Sequence, residues 1–130
     1  MITDPIGDFL ARIRNAQQRK KDYLEVPHTK MLESISNILK DENFIESVEV
    51  VEAEPQSTLV VKLRYVDDKP VIRDLVRVSK PGVRKYRGYR EISPVKNGQG
   101  ISIFSTPRGV VTGDEALKNK IGGEYLCYIY

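Results

Sequence analysis

At 130 residues and 14.8 kDa the chain is one ordinary domain or two very small ones, and 40% hydrophobic with 30% charged residues excludes a disordered tail. No apolar run approaches the roughly 20 residues of a membrane span. The single cysteine, Cys127, closes no internal disulfide, and with the single histidine, His28, it builds no zinc site. The net charge of +3 is unevenly placed: Met1–Val66 carries 9 Lys/Arg against 11 Asp/Glu, and Asp67–Tyr130 carries 12 against 7. Lys69–Arg108 has 10 basic residues against Asp74 and Glu91, which points to a polyanion partner for the C-terminal half. The plainer alternative is a solvated basic face.

In chain order, Met1-Ile2-Thr3-Asp4-Pro5 has neither a basic nor an apolar leader, so no signal peptide is expected. Asp4 as cap and Pro5 as first residue open a helix whose buried face is Ile6, Phe9, Leu10 and Ile13. Tyr23–Val26 reads as a short strand ending at Pro27. A second helix is expected over Thr29–Glu42, with Leu32, Ile35, Ile38 and Leu39 inward and Asn43 as its stop. Ile45–Glu54 and Leu59–Tyr65 read as a hairpin across Pro55-Gln56-Ser57, with Val61, Leu63 and Tyr65 on one face. Val66–Pro70 is the expected junction between two small domains, 1–70 and 71–130.

The second half reads as mostly β. Val71–Ser79 alternates like a strand, Lys80-Pro81-Gly82 turns, and Lys85–Tyr89 is a short extended piece. Lys96–Gly100 turns into the strand Ile101–Thr106. Thr112-Gly113-Asp114-Glu115 has the form of a capping box opening a helix over Asp114–Lys120, with Gly122 and Gly123 as its stop. Glu124–Tyr130 is the last strand, with Tyr125, Cys127 and Ile129 opposite Leu126, Tyr128 and Tyr130. The fold class is α+β: an N-terminal α-β-α-β-β half, then a mainly antiparallel β half with one short helix.

Two segments could carry chemistry. Ser79–Arg90 packs Lys80, Arg84, Lys85, Arg87 and Arg90 with Tyr86 and Tyr89 among turn formers. Cations reach phosphates, and a tyrosine ring offers a stacking face to an unpaired base. The alternative is a hairpin with solvated arginines. Ser105-Thr106-Pro107-Arg108-Gly109 is a tight loop whose hydroxyls can donate to and accept from base edges and the ribose 2′-OH, with Gly109 allowing close backbone approach; by composition alone it is only a turn. Gly98-x-Gly100 lacks a third glycine and precedes a strand, so it is no dinucleotide site. His28 reads as a helix-entry residue, Cys127 as a packing thiol, and Glu46, Glu49, Glu52 and Glu54 as a solvated strand face.

Asp4-Pro5-Ile6, Arg12-Ile13-Arg14-Asn15-Ala16, Arg77-Val78-Ser79-Lys80-Pro81-Gly82, Gly100–Ile103, Ser105-Thr106-x-Arg108-Gly109-Val110-Val111-Thr112 and Gly122-Gly123-Glu124 stand in order along nearly the whole chain. In these blocks the sequence resembles the bacterial small-subunit ribosomal protein number eight family. The resemblance implies a non-enzymatic, cofactor-free, cytoplasmic ribosomal protein that binds the central domain of 16S rRNA directly and helps assemble the 30S platform. It implies Ser105–Gly109 as principal reader (Ser105, Thr106, Arg108, Gly109), a second cluster of Arg84, Lys85, Tyr86, Arg87 and Glu124, and N-terminal contacts at Thr3, Asp4 and Lys30. Implied partners are neighbouring proteins numbers five, twelve and seventeen, and in some members the messenger of their own operon; no membrane is involved. Many members carry serine where this chain has Pro107, which removes one hydroxyl and one N–H. Competing classes are an enzyme acting on RNA, for which the half from Asp67 lacks histidines and an acid cluster, and an adaptor for an acidic protein. Salt-dependent retention on structured RNA separates the latter.

Overall fold

The structure, a computed structural model, describes residues 4–130. Two compact units arise: one is Ala11–Arg73, and the other joins Asp74–Tyr130 to the described residues up to Leu10. Helix α1 (Pro5–Gln18) runs through both. Its cap forms as the sequence requires, with Gly7 N–H donating to the Asp4 carboxylate at 3.1 Å.

In the first unit, β1 (Tyr23–Pro27) leads into α2 (Lys30–Asp41), capped by Thr29 Oγ1 accepting from Leu32 N–H at 3.1 Å. Strands β2 (Ile45–Val51) and β3 (Thr58–Leu63) follow. They form an antiparallel sheet in the order β1-β3-β2. Leu59, Val61 and Leu63 are buried with Leu32, Ile35 and Leu39 of α2 in the core, which is the period-2 and period-3.6 matching read from the sequence. Strand β2 stops at Val51 rather than Glu54, because Val51 already pairs with Thr58, the first residue of β3. Strand β3 stops at Leu63. Tyr65 belongs instead to β4 (Tyr65–Val66), which folds onto β5 (Lys69–Pro70) across Asp67 and Asp68, both at left-handed φ.

The second unit is built on a five-stranded antiparallel sheet. Its strands are β6 (Leu75–Arg77), β7 (Tyr86–Arg87), β8 (Ile101–Thr106), β9 (Gly109–Thr112) and β10 (Gly123–Ile129). The order is β6-β10-β8-β9, with β7 pairing β10 beyond β6. Four consecutive residues, Ile101–Phe104, are buried, so this sheet is covered on both faces. The expected strand Val71–Ser79 is confined to Leu75–Arg77: Val71 N–H bonds Arg64 O, and the Asp74 carboxylate takes Leu75 N–H at 2.8 Å.

Helix α3 (Gly113–Lys118) is capped by Thr112 Oγ1, which accepts from Glu115 N–H. Its end is not set by Gly122 and Gly123. Lys120 takes φ 54°, with Lys120 N–H bonding Leu117 O and Ile121 N–H bonding Ala116 O. Lys20 and Asn43 close α1 and α2 by the same pair of bonds, a left-handed closure these side chains tolerate.

The facing of the last strand also differs from simple alternation. A bulge between Tyr125 and Cys127 shifts the register against β8, so that Tyr125 faces Phe104 and Tyr128 faces Ser102. One extra residue reverses parity, placing Tyr125 on the face of Tyr128. Cys127 and Ile129 lie opposite Ile103 and Ile101 on the other face.

Candidate nucleic-acid interface

Three blocks that are far apart in sequence meet at one end of the five-stranded sheet. Glu124 stands opposite Ser105 on one side and opposite Tyr86 on the other, and Gly123 is opposite Arg87. Both glycines are required by this closeness. A Cβ on Gly123 would collide with the carbonyl oxygen of Ser105, and one on Gly122 with that of Arg87. These residues therefore weld the β8–β9 hairpin and β7 to the same stretch of β10.

The hairpin tip follows from its turn chemistry. Thr106 pairs with Gly109, leaving Pro107 and Arg108 as the two turn residues. Pro107 supplies the φ of a first turn position, and Gly109 takes φ 109°, which is open to glycine. Thr106 Oγ1 accepts from Arg108 N–H at 3.1 Å and donates to Gly109 O at 2.9 Å. Its hydroxyl is thus engaged in shaping the turn. Ser105 is half-buried beside it, and Arg108 projects exposed from the tip.

The basic segment is held by Ser79. This fully buried serine accepts Lys85 N–H at 2.8 Å, while Ser79 N–H bonds Tyr125 O and Tyr125 N–H bonds Lys85 O. Lys80 and Val83 close the turn between them by mutual backbone bonds. Arg84, Lys85 and Tyr86 are exposed, Tyr86 by 66%. Arg84 is not a free cation, since its Nη1 lies 3.0 Å from Glu124 Oε2. That pair aligns Glu124 and removes most of its repulsion toward an anion.

The N-terminal expectations fare differently. Asp4 has its carboxylate 3.2 Å from Arg77 Nε, with Arg77 Nη1 donating to Leu126 O at 2.6 Å. Asp4 is thereby occupied as a helix cap and ion-pair partner within its unit. Lys30 is exposed at the start of α2 in the other unit, and Thr3 lies outside the described residues. Sequence reasoning missed the positioning role of Ser79; its signal was a small hydroxyl residue immediately before Lys80-Pro81-Gly82, a setting favouring side-chain bonds to a nearby backbone.

Burial pushes the Cys127 thiol up to about 12, and the Tyr125 phenol likewise to about 12. Cys127 is therefore a protonated packing group. His28 Nε2 sits 2.7 Å from Glu33 Oε1, at the entrance of α2. Among the described residues no group of three His, Cys, Asp or Glu could hold a metal, and no helix is long and apolar enough to cross a membrane.

The sequence matches the family described as Ribosomal protein S8 over residues 4–130. It is 50% identical to the small ribosomal subunit protein uS8 of Persephonella marina, with all of both chains covered. It is 48% identical to the uS8 of Roseiflexus castenholzii, covering 99% of this chain and 98% of the relative. Against the uS8 of Phocaeicola vulgatus it is 47% identical, covering 99% and 100%. The ordered blocks, the α+β fold and this full-length similarity agree: the chain belongs to the ribosomal protein S8 family, a family of structural, non-enzymatic proteins of the small ribosomal subunit.

Proposed function

We propose that this chain binds the central domain of 16S rRNA directly, and that this contact helps build the platform of the 30S subunit. The observation that carries the reading is the meeting of Arg84–Arg87, Ser105–Gly109 and Gly122–Glu124 at one end of one sheet. Cations to hold phosphates, one exposed ring to stack, and hydroxyl and backbone groups at a tight turn suit an irregular, partly unpaired RNA helix. A regular duplex would offer no splayed base to Tyr86. Lys30, Thr3 and Asp4 are secondary in this reading, because Asp4 already serves Arg77. Proteins five, twelve and seventeen of the small subunit are the proposed neighbours. A messenger segment that copies the irregular helix would compete for the same surface.

Footprinting the full chain on its own 16S rRNA, with no other protein present, tests this. Protection is expected at one irregular helix of the central domain. Protection elsewhere, or only after other proteins are added, contradicts it.

A further inference from the structure

Beside this surface, on the face of the sheet that carries Phe104, lies a cavity of ≈ 350 Å³. It is lined by Arg87, Glu91 and Lys96 from the segment before β8, and by Phe104, Tyr125 and Tyr128 from β8 and β10. Neighbouring residues on a strand point to opposite faces, so β7 presents Tyr86 to one side and Arg87 to this cavity. The bulge in β10 brings Tyr125 and Tyr128 together here. Tyr125 stacks on Phe104 with ring centroids 4.6 Å apart, and Tyr128 lies 6.5 Å from Tyr125. Lys96 is set at the rim, with its Nζ 4.5 Å from the centre of the Tyr130 ring. Tyr128 in turn stacks on Tyr130 at 6.2 Å.

The geometry points to a second, separate pocket for one unstacked RNA nucleotide, its base against Tyr125 and Tyr128 and its phosphate between Arg87 and Lys96. Volume, rings and charge all fit that class of ligand. The space falls in the range of small-molecule sites, about 300–1,000 Å³. Arg87 and Lys96 against the single acid Glu91 leave the lining net positive, which suits an anion, and its rings suit any base, because each has a π face. Glu91 adds an acceptor to the wall. Its Oε1 accepts Gly88 N–H at 2.9 Å, which fixes the carboxylate there, where it can accept from an N–H of the base. The inference rests on the RNA reading and extends it around the β7 edge, since Arg87 lines the cavity while pairing with Gly123, and Tyr125 lines it next to Glu124.

The test is a titration of the full chain with a fragment of its own small-subunit RNA. Tyr128→Leu should weaken binding roughly 5- to 150-fold, the factor for losing one stacked base, whereas Tyr128→Phe should stay within about twofold because it keeps the ring. Lys96→Gln changes an exposed residue and cannot unfold the sheet. It should weaken binding roughly threefold and lower the salt slope by about one. With 2-aminopurine at each unpaired purine in turn, one position should be quenched on binding and recover with Tyr128→Leu. If Tyr128→Leu lowers the melting temperature, Lys96→Gln and the 2-aminopurine signal decide. Wild-type binding by Tyr128→Leu and Lys96→Gln, alongside weakened binding by Arg108→Ala, overturns the pocket and leaves the RNA surface standing. Wild-type binding by Arg108→Ala as well overturns both.

Discussion

The two units use similar chemistry for different ends. Ala11–Arg73 balances 11 basic residues with 11 acidic ones, and from Asp41 to Glu54 it has six acids and no Lys or Arg. Strand β2, which carries part of that run, forms an outer edge of its sheet. In the other unit Lys80–Lys96 has six basic residues against Glu91 alone, in turns and on the short outer strand β7. Two of these acids, Glu46 and Glu49, lie on a regular edge strand, where charge keeps an exposed edge from pairing with other chains. Bases occupy irregular backbone, where spacing is free to follow phosphates. Net charge is thus a poor guide by itself: the basic segment differs from the acidic one in standing on turns beside the close-packed Gly122 and Gly123, the setting on which the proposed RNA surface rests.

The largest effect is expected at the junction itself. Gly123→Ala places a methyl group against the Ser105 carbonyl, so β8 and β10 must part. We expect a loss of about 1–3 kcal/mol in stability, typical of overpacking, and loss of cognate RNA binding. Urea melts and a binding titration check both. An unperturbed variant would mean that the two strands are not held at the spacing described.

Next comes charge. Lys85, Arg87 and Arg108 replaced together by alanine should reduce the slope of log affinity against log salt by about 2 to 3. Arg84 should add little, because Glu124 already holds it. Glu49, Glu52 and Glu54 replaced by glutamine should leave the slope unchanged. Equal changes from the two sets would erase the contrast between the units.

The hairpin tip gives a finer division. Thr106→Ala removes a hydroxyl bonded at both ends within the turn, and should cost about 0.5–1.5 kcal/mol in stability, less with solvent exposure. Ser105→Ala should leave stability nearly unchanged. It should weaken cognate RNA binding by about 1–3 kcal/mol if an RNA group is desolvated against it, with little effect on arbitrary structured RNA. Parallel melting and competition titrations distinguish the two residues.

The smallest effect concerns the core beneath the sheet. The unfolded Cys127 thiol has the ordinary value of 9.0, whereas burial holds the folded one near 12. Between these values the unfolded chain has released a proton that the folded chain keeps, so stability is fully present below pH 9 and falls as pH rises toward 12. Tyr125, also raised by burial, acts in the same direction. Cys127→Ala should flatten the decline of urea stability between pH 8 and roughly pH 10.5. An identical decline would place the alkaline sensitivity elsewhere.

Much of this was legible in the sequence, for physical reasons that differ by element. Asp4, Thr29 and Thr112 cap their helices because a hydroxyl or carboxylate reaches an unpaired N–H within three residues, a purely local event. Ile101–Thr106 follows from the turn signal before it, and the β2–β3 hairpin from local alternation and its turn. The facing of Tyr125 did not, because a bulge is set by pairing with β8 and leaves no local mark. Gly122 and Gly123 look locally like a helix stop, yet Lys120 performs that task and the glycines serve a contact with residues 87 and 105. The Arg84–Glu124 pair, 40 residues apart, was equally invisible. Ser105–Thr112 and Gly122–Glu124 are local strings of sequence, and only the sheet register explains why they meet each other and the segment Arg84–Arg87.

Zero-length ultraviolet crosslinking of the full chain to its own small-subunit RNA, followed by peptide mapping, locates the RNA on the protein residue by residue. Crosslinked residues should fall within 84–87, 105–109 and 122–125, and at Lys96 and Tyr128 where the proposed pocket is filled, with none from the acidic stretch 41–54. Crosslinks concentrated on α2 and β2, with the hairpin tip unmarked, would contradict the account.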